Sequence, residues 1–123
     1  MNNIYKELEK KLINNGYKNI QGYSNYYCNK NGDVVAIKHD KRKIVSITNV
    51  STSKTTNGTL KFNVVENGKV KNKMLAKTIY ETFRGTYEGD IQFIDGNKLN
   101  CSLDNLITIS ELLESYRKNI HNI

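Results

Sequence analysis

Three Asn-Gly pairs, Asn31-Gly32, Asn57-Gly58 and Asn67-Gly68, punctuate the middle of this 123-residue chain. Each suits the positive φ angles of a tight hairpin turn. The runs around them, Tyr26–Cys28, Val34–Ile37, Lys43–Ile47, Thr59–Val65 and Lys69–Met74, are short enough and rich enough in β-branched and aromatic residues to be strands. In Thr59–Val65, Leu60, Phe62 and Val64 alternate with polar neighbours, which puts Lys61 on the more polar face. Lys69, Lys71 and Lys73 share one face by the same period of two, which predicts a sheet with a cationic face. Ser51–Asn57 reads as an exposed loop.

The flanks read as helical. Ile4, Leu8 and Leu12 recur four apart in a helix over 3–15, with Asn3 as its cap and Asn15-Gly16 as its stop. Leu75, Ile79 and Phe83, with Ala76 and Tyr80 beside them, predict a second helix over Met74–Phe83. Gly85 and Gly89 bracket a connector to a short strand, Ile91–Ile94, a turn at 95–98 and a return strand, Leu106–Ile109. Ser110 can cap a last helix that carries Glu111 and Glu114 near its positive end. Ile94, Leu99, Leu103, Leu106 and Ile109 read as core.

Charge is segregated. Residues 30–77 hold eleven Lys and Arg side chains against Asp33, Asp40 and Glu66, whereas the rest of the chain is almost neutral. A localised positive field is the footprint of a polyanion binder, and a Lys-rich solvated surface is the structural alternative. The candidate phosphate contacts are Lys38, Lys41, Arg42, Lys43, Lys54, Lys61, Lys69, Lys71, Lys73 and Lys77. Tyr17, Tyr23, Tyr26 and Tyr27 could stack on bases of a single strand or pack in the core. No apolar run is long enough for a membrane span, and MNNIYKELEKKL lacks the apolar stretch of a secretory leader, so the expectation is a cytoplasmic protein with no membrane partner. Two cysteines, Cys28 and Cys101, are too few for a disulfide framework and read as small buried hydrophobes. Proline is absent.

The stretch Phe93-Ile94-Asp95-Gly96-Asn97-Lys98-Leu99-Asn100-Cys101-Ser102-Leu103-Asp104-Asn105-Leu106 resembles the core of the HNH endonuclease family, in particular its phage and intron-borne branch. Ile20-Gln21-Gly22-Tyr23, Tyr26-Tyr27 and Asn31-Gly32-Asp33-Val34 resemble the nuclease-associated modular (NUMOD-type) part that precedes it there. The patterning and the resemblance together predict an α+β chain: an N-terminal helix over 1–16, a small antiparallel basic sheet over 17–74, which resembles the NUMOD type, and over 75–123 the degenerate ββα-metal unit that the resemblance implies, in one compact domain.

In that family a histidine deprotonates water, an asparagine orients the histidine, and a metal offsets the charge developing on the phosphate. The resemblance places Phe93 at the base, Asn105 at the orienting position, Gln92 beside the base, Ala76 where a histidine opens the preceding helix, and Glu114 on the last helix. Phenylalanine accepts no proton, so no catalytic residue and no cofactor are expected. Asp95 and Glu114 are weak metal candidates, for Mg²⁺ only if activity survives, and Asp95 and Asp104 read equally as turn-formers. His39 and His121 lie far from the motif in sequence and read as surface residues.

The expected function is therefore binding of nucleic acid, DNA ahead of RNA, by an inactive HNH-like protein of a phage or mobile element. Two rivals stand beside it. One is an inhibitor of a host defence nucleoprotein nuclease, an anti-CRISPR-like role; the other is a weak metal-dependent DNA nickase.

Overall fold

In a computed structural model that describes residues 3–42 and 44–121, the chain is α+β. Helix α1 (Asn3–Asn14) leads into strands β1 (Lys18–Asn19), β2 (Tyr26–Cys28), β3 (Val34–His39) and β4 (Val45–Asn49). Strands β5 (Thr52–Lys54), β6 (Leu60–Glu66) and β7 (Lys69–Met74) follow, then helix α2 (Leu75–Arg84). Strand β8 (Ile91–Phe93), a 3₁₀ turn (Leu103–Asn105), strand β9 (Leu106–Thr108) and helix α3 (Ile109–His121) complete it. All strand pairings are antiparallel, in sheets ordered β1-β2-β3-β4, β5-β6-β7 and β8-β9. Within Ser51–Asn57 the structure adds β5, an edge strand paired to β6; its side chains are all exposed, so nothing in their burial pattern marked it as a strand.

The centre of the first sheet is covered on both faces, which is why β2 and the start of β3 show continuous burial while β1 and much of β4 are exposed. Tyr26, Cys28, Val34 and Ala36 face a core shared with Phe62, Val64, Leu75, Ile79, Leu103 and Leu106. Tyr27, Val35 and Ile37 face the other way, under Tyr5, Leu8 and Leu12 of α1. The inward stripe of α1 is thus Tyr5-Leu8-Leu12, not Ile4-Leu8-Leu12, and Ile4 is exposed. The larger core draws on β2, β3, β6, α2 and the Cys101–Leu106 stretch at once, so the segments on either side of residue 75 share one interior. No helix among the described residues is long and apolar enough to cross a membrane.

The Asn-Gly pairs build two kinds of turn. Asn67 (φ 53) and Gly68 (φ 73) both take positive φ and form the two-residue link between β6 and β7. At Asn31-Gly32 and Asn57-Gly58 only the glycine does, and each closes a wider loop through Gly32 N–H to Asn29 O and Gly58 N–H to Thr55 O. Asn29 finishes the first of these loops: its Oδ1 accepts from the N–H groups of Asn31 and Asp33. In that loop the side-chain acceptor holds Asn31, before the glycine, in ordinary backbone space.

The last helix is capped by Thr108, not Ser110. Thr108 Oγ1 accepts from Glu111 N–H (3.1 Å) and Glu111 Oε1 accepts from Thr108 N–H (3.0 Å), a reciprocal capping box. The Tyr80 hydroxyl also donates to Glu111 Oε1 (2.6 Å), tying α3 to α2. These bonds draw the Glu111 carboxyl below its ordinary range, the Tyr80 bond most of all. The cap of α1 assigned to Asn3 rests on a side chain outside those described.

Candidate nucleic-acid interface

The β6–β7 register decides where the lysines point. Phe62 sits opposite Lys73, Val64 opposite Lys71 and Glu66 opposite Lys69. Residues directly opposed across a ladder share a face, so the three β7 lysines lie on the side of Phe62 and Val64, the core side, at the sheet's free edge. Lys61, opposite Met74, lies on the other face with Val65 and Val70. The sheet therefore has no single cationic face. Period-two reading aligned each strand's lysines correctly but could not supply the register between strands.

The edge lysines are partly engaged. Lys73 Nζ stands over the Tyr23 ring at 5.1 Å, and Lys71 Nζ pairs with Glu66 Oε2 at 3.3 Å. Lysines along an unpaired edge also block sheet-to-sheet pairing, which is a structural reason for their presence. Elsewhere, Lys38, Lys41, Arg42, Lys54, Lys69 and Lys77 are exposed and Lys61 is half-buried. Lys43 lies outside the described residues. The turn that carries Lys41 and Arg42 is shaped by Asp40, whose Oδ1 accepts from the N–H groups of Arg42 (2.8 Å) and Ile44 (3.1 Å). Those bonds, the one to Ile44 first, hold the Asp40 carboxyl below its usual range. The tyrosines divide: Tyr26 and Tyr27 are core, Tyr27 giving its hydroxyl to Glu9, while Tyr17 and Tyr23 are half-buried. Tyr26 and Tyr27 are closed to base stacking.

At the HNH-like motif, β8 places Phe93 directly opposite Leu106 of β9, half-buried against the main core. Asn105 is 9% exposed and fully bonded. Its Nδ2 donates to Asp95 Oδ1 and to Asn100 O, and its Oδ1 accepts from Asp95 N–H, all at 2.9 Å. Asp95 Oδ1 also accepts from Asn97 N–H (2.8 Å), and its Oδ2 accepts from Asn100 Nδ2 (2.9 Å). Hydrogen bonding, led by Asn100, keeps this exposed carboxyl below its usual range. Asn105 is the brace of the 95–100 loop. Leu103 and Leu106 are core, but Ile94 just past β8, Leu99 in the braced loop and Ile109 at the start of α3 are exposed, a correction to the core expected of them.

The residues present do not suit a catalytic cation. Gln92 offers a neutral amide, both Asp95 oxygens are already engaged, and Glu114 on α3 is paired with Arg117 at 3.8 Å. Among the described residues no three His, Cys, Asp or Glu side chains gather as a metal would need. Cys28 and Cys101 are buried, and burial pushes both thiols up to about 11. The Asn31-Gly32 turn docks on the motif: Leu103 N–H donates to Lys30 O (2.8 Å), and Gly32 lies against Cys101. No spacing in the sequence signalled that contact.

No family model matches the chain, and no curated protein matches it. Among solved structures it is similar to the HNH homing endonuclease I-HmuI, described for its DNA binding and cleavage, with a TM-score of 0.63 and 24% identity. The likeness covers 84% of this chain and 58% of that one, so the chain spans little more than half of its neighbour's length. The fold is α+β and HNH-like, with an N-terminal helix, antiparallel sheets and a C-terminal helix.

Proposed function

We propose that this chain is a nucleic-acid-binding module of phage or mobile-element origin, built on an HNH-like scaffold that grips DNA through its phosphates without cutting it. In this reading 1–16 is a supporting helix, 17–74 a NUMOD-like part and 75–123 a degenerate HNH-like part. Phe93 stands in place of the general base.

The observation that carries the proposal is the pairing of Phe93 with Leu106 beside an Asn105 whose three hydrogen bonds all go to its own loop. A benzyl ring accepts no proton, and general-base catalysis is worth about 10²–10⁴ in rate. An asparagine spent on a turn has no imidazole to orient. The surplus of basic side chains in residues 30–77 supports phosphate contact, with exposed Lys38, Lys41, Lys54, Lys69 and Lys77 ahead of Arg42, Lys71 and Lys73, which are engaged by Asp40, Glu66 and the Tyr23 ring. Such contacts give affinity without sequence choice.

Anisotropy titration of labelled duplex across a salt series tests this. The logarithm of the affinity should fall linearly with the logarithm of salt, and each removed phosphate contact should lower that slope by about 1. Supercoiled plasmid should stay intact with Mg²⁺ or Mn²⁺. Nicking that EDTA abolishes and Glu114→Ala reduces would overturn the proposal in favour of a nickase. Weak DNA binding with tight capture of a nucleoprotein nuclease would overturn it in favour of an inhibitor.

A further inference from the structure

Between the first turns of α1 and the far end of β3 lies a cavity of about 370 Å³, lined by Tyr5, Lys6, Asn25, Ile37, Lys38, His39 and Val45. Its origin is topological. Strand β2 begins at Tyr26, which pairs with Ala36, so β3 runs on past its neighbour through Ile37, Lys38 and His39. The Ile37 N–H still reaches Asn25 O (2.9 Å), and beyond that bond this edge of β3 is uncovered. Helix α1 roofs the notch with Tyr5 and Lys6.

The lining is divided in its chemistry. Ile37 and Val45 supply an apolar floor and Tyr5 an aromatic wall, held in place because its hydroxyl donates to Ser24 O (2.9 Å) and Asn25 Oδ1 (3.0 Å). Asn25 accepts through Oδ1, and its Nδ2 has no partner among the described residues. At the mouth stand Lys6 and, on the Ile37 face of β3 opposite Val45, His39, neither in an ion pair among the described residues; Lys38 lines the notch from the strand between Ile37 and His39, its side chain alternating to the other face. The neighbouring carboxylate, Asp40, is engaged by Arg42 and by two backbone N–H groups. Helix α1 has no acidic residue in its first turn, so its positive end is not offset there.

We propose that this notch binds one nucleotide unit, its phosphate on Lys6 and His39 and its base between Tyr5 and the Ile37–Val45 floor. A pocket of about 300–1,000 Å³ is the range small ligands occupy, and the unpartnered Asn25 amide supplies a donor for a base edge. The unit is either a free nucleoside monophosphate or the phosphorylated end of a strand. Lys6 and His39 are not among the duplex contacts proposed above, so the notch assignment survives failure of the duplex-binding proposal.

The test follows methyl and side-chain amide NMR signals of Ile37, Val45 and Asn25 on addition of AMP, adenosine, inorganic phosphate and a short 5′-phosphorylated oligonucleotide. AMP or the phosphorylated strand should shift these signals saturably, and the response of each tells a free nucleotide from a strand end. The Lys6→Ala/His39→Ala double variant should weaken binding at least tenfold while leaving duplex affinity within twofold. Adenosine and phosphate alone should each bind at least tenfold more weakly than AMP. Absence of shifts with both AMP and the oligonucleotide, phosphate binding as tightly as AMP, or shifts indifferent to the double variant would each overturn the assignment.

Discussion

Replacing Asn105 with alanine separates a loop brace from an idle relic of an active site. The side chain is 9% exposed and makes three hydrogen bonds of 2.9 Å, two to Asp95 and one to Asn100 O. A typical bond of this kind contributes about 0.5–1.5 kcal/mol net. Because Asp95 is exposed, water replaces part of what its N–H and carboxylate lose. Asn105→Ala should therefore cost about 2–3 kcal/mol. With a denaturant slope of about 2 kcal/mol per molar urea, the unfolding midpoint falls by about 1–1.5 M. Asn105→Asp is the sharper variant: it sets an oxygen against Asp95 Oδ1 and Asn100 O where Nδ2 had donated. The new carboxyl is then held above its ordinary value, so its penalty is largest at neutral pH and fades as pH falls through that raised value. Urea melts of both variants at pH 7 and pH 4 provide the measurement. If Asn105→Ala unfolds within about 0.5 kcal/mol of wild type, the range of an ordinary surface substitution, the brace assignment is wrong.

Three further outcomes follow from other contacts. Gly32→Ala and Gly58→Ala should each lower the thermal midpoint by a similar amount: both glycines have positive φ (+94° and +87°), and a Cβ at Gly32 would meet Cys101 O at 3.4 Å, an ordinary contact that adds no clash. The left-handed conformation costs each about 1–2 kcal/mol, and an unchanged midpoint in either variant, followed by thermal melts, would overturn this expectation. Glu111→Gln should cost about 1 kcal/mol at pH 7, the typical worth of a cap. Since the Glu111 carboxyl is held below its ordinary 4.5, its contribution is complete above that value and lost as pH falls through the lowered one. Wild type and variant should therefore converge in acid, and parallel pH profiles would refute this. Phe93→His alone should leave plasmid uncut with Mg²⁺, because no cluster of cation ligands accompanies it among the described residues; brisk cutting, assayed on agarose gels, would contradict this.

Strand positions, the α2 stripe and the HNH-like motif were legible because they depend on residues adjacent in the chain. Val34–Ile37 and Lys69–Met74 carry their own β preference, and Leu75-Ile79-Phe83 its own period. The cap of α3 is legible in principle, as Thr-x-x-Glu at 108–111, although Ser110 two residues later is a capping residue of the same chemistry. The relation of Phe93 to Asn105 was visible only as spacing, and where Asn105 spends its hydrogen bonds was not.

What the sequence determined by itself was local: where the chain turns, which stretches are strands or helices, and how its charge is segregated. Only the tertiary structure decided which lysines share a face, because the register between β6 and β7 is set by core packing of Phe62 and Val64. It alone decided that Ile94 and Leu99 lie outside while Tyr26 and Tyr27 lie within, and that β3 outruns β2 to open a notch under α1. The physical reason is the same in each case. Backbone preference acts between neighbours along the chain, whereas faces, cavities and sites are made where distant segments compete to leave water.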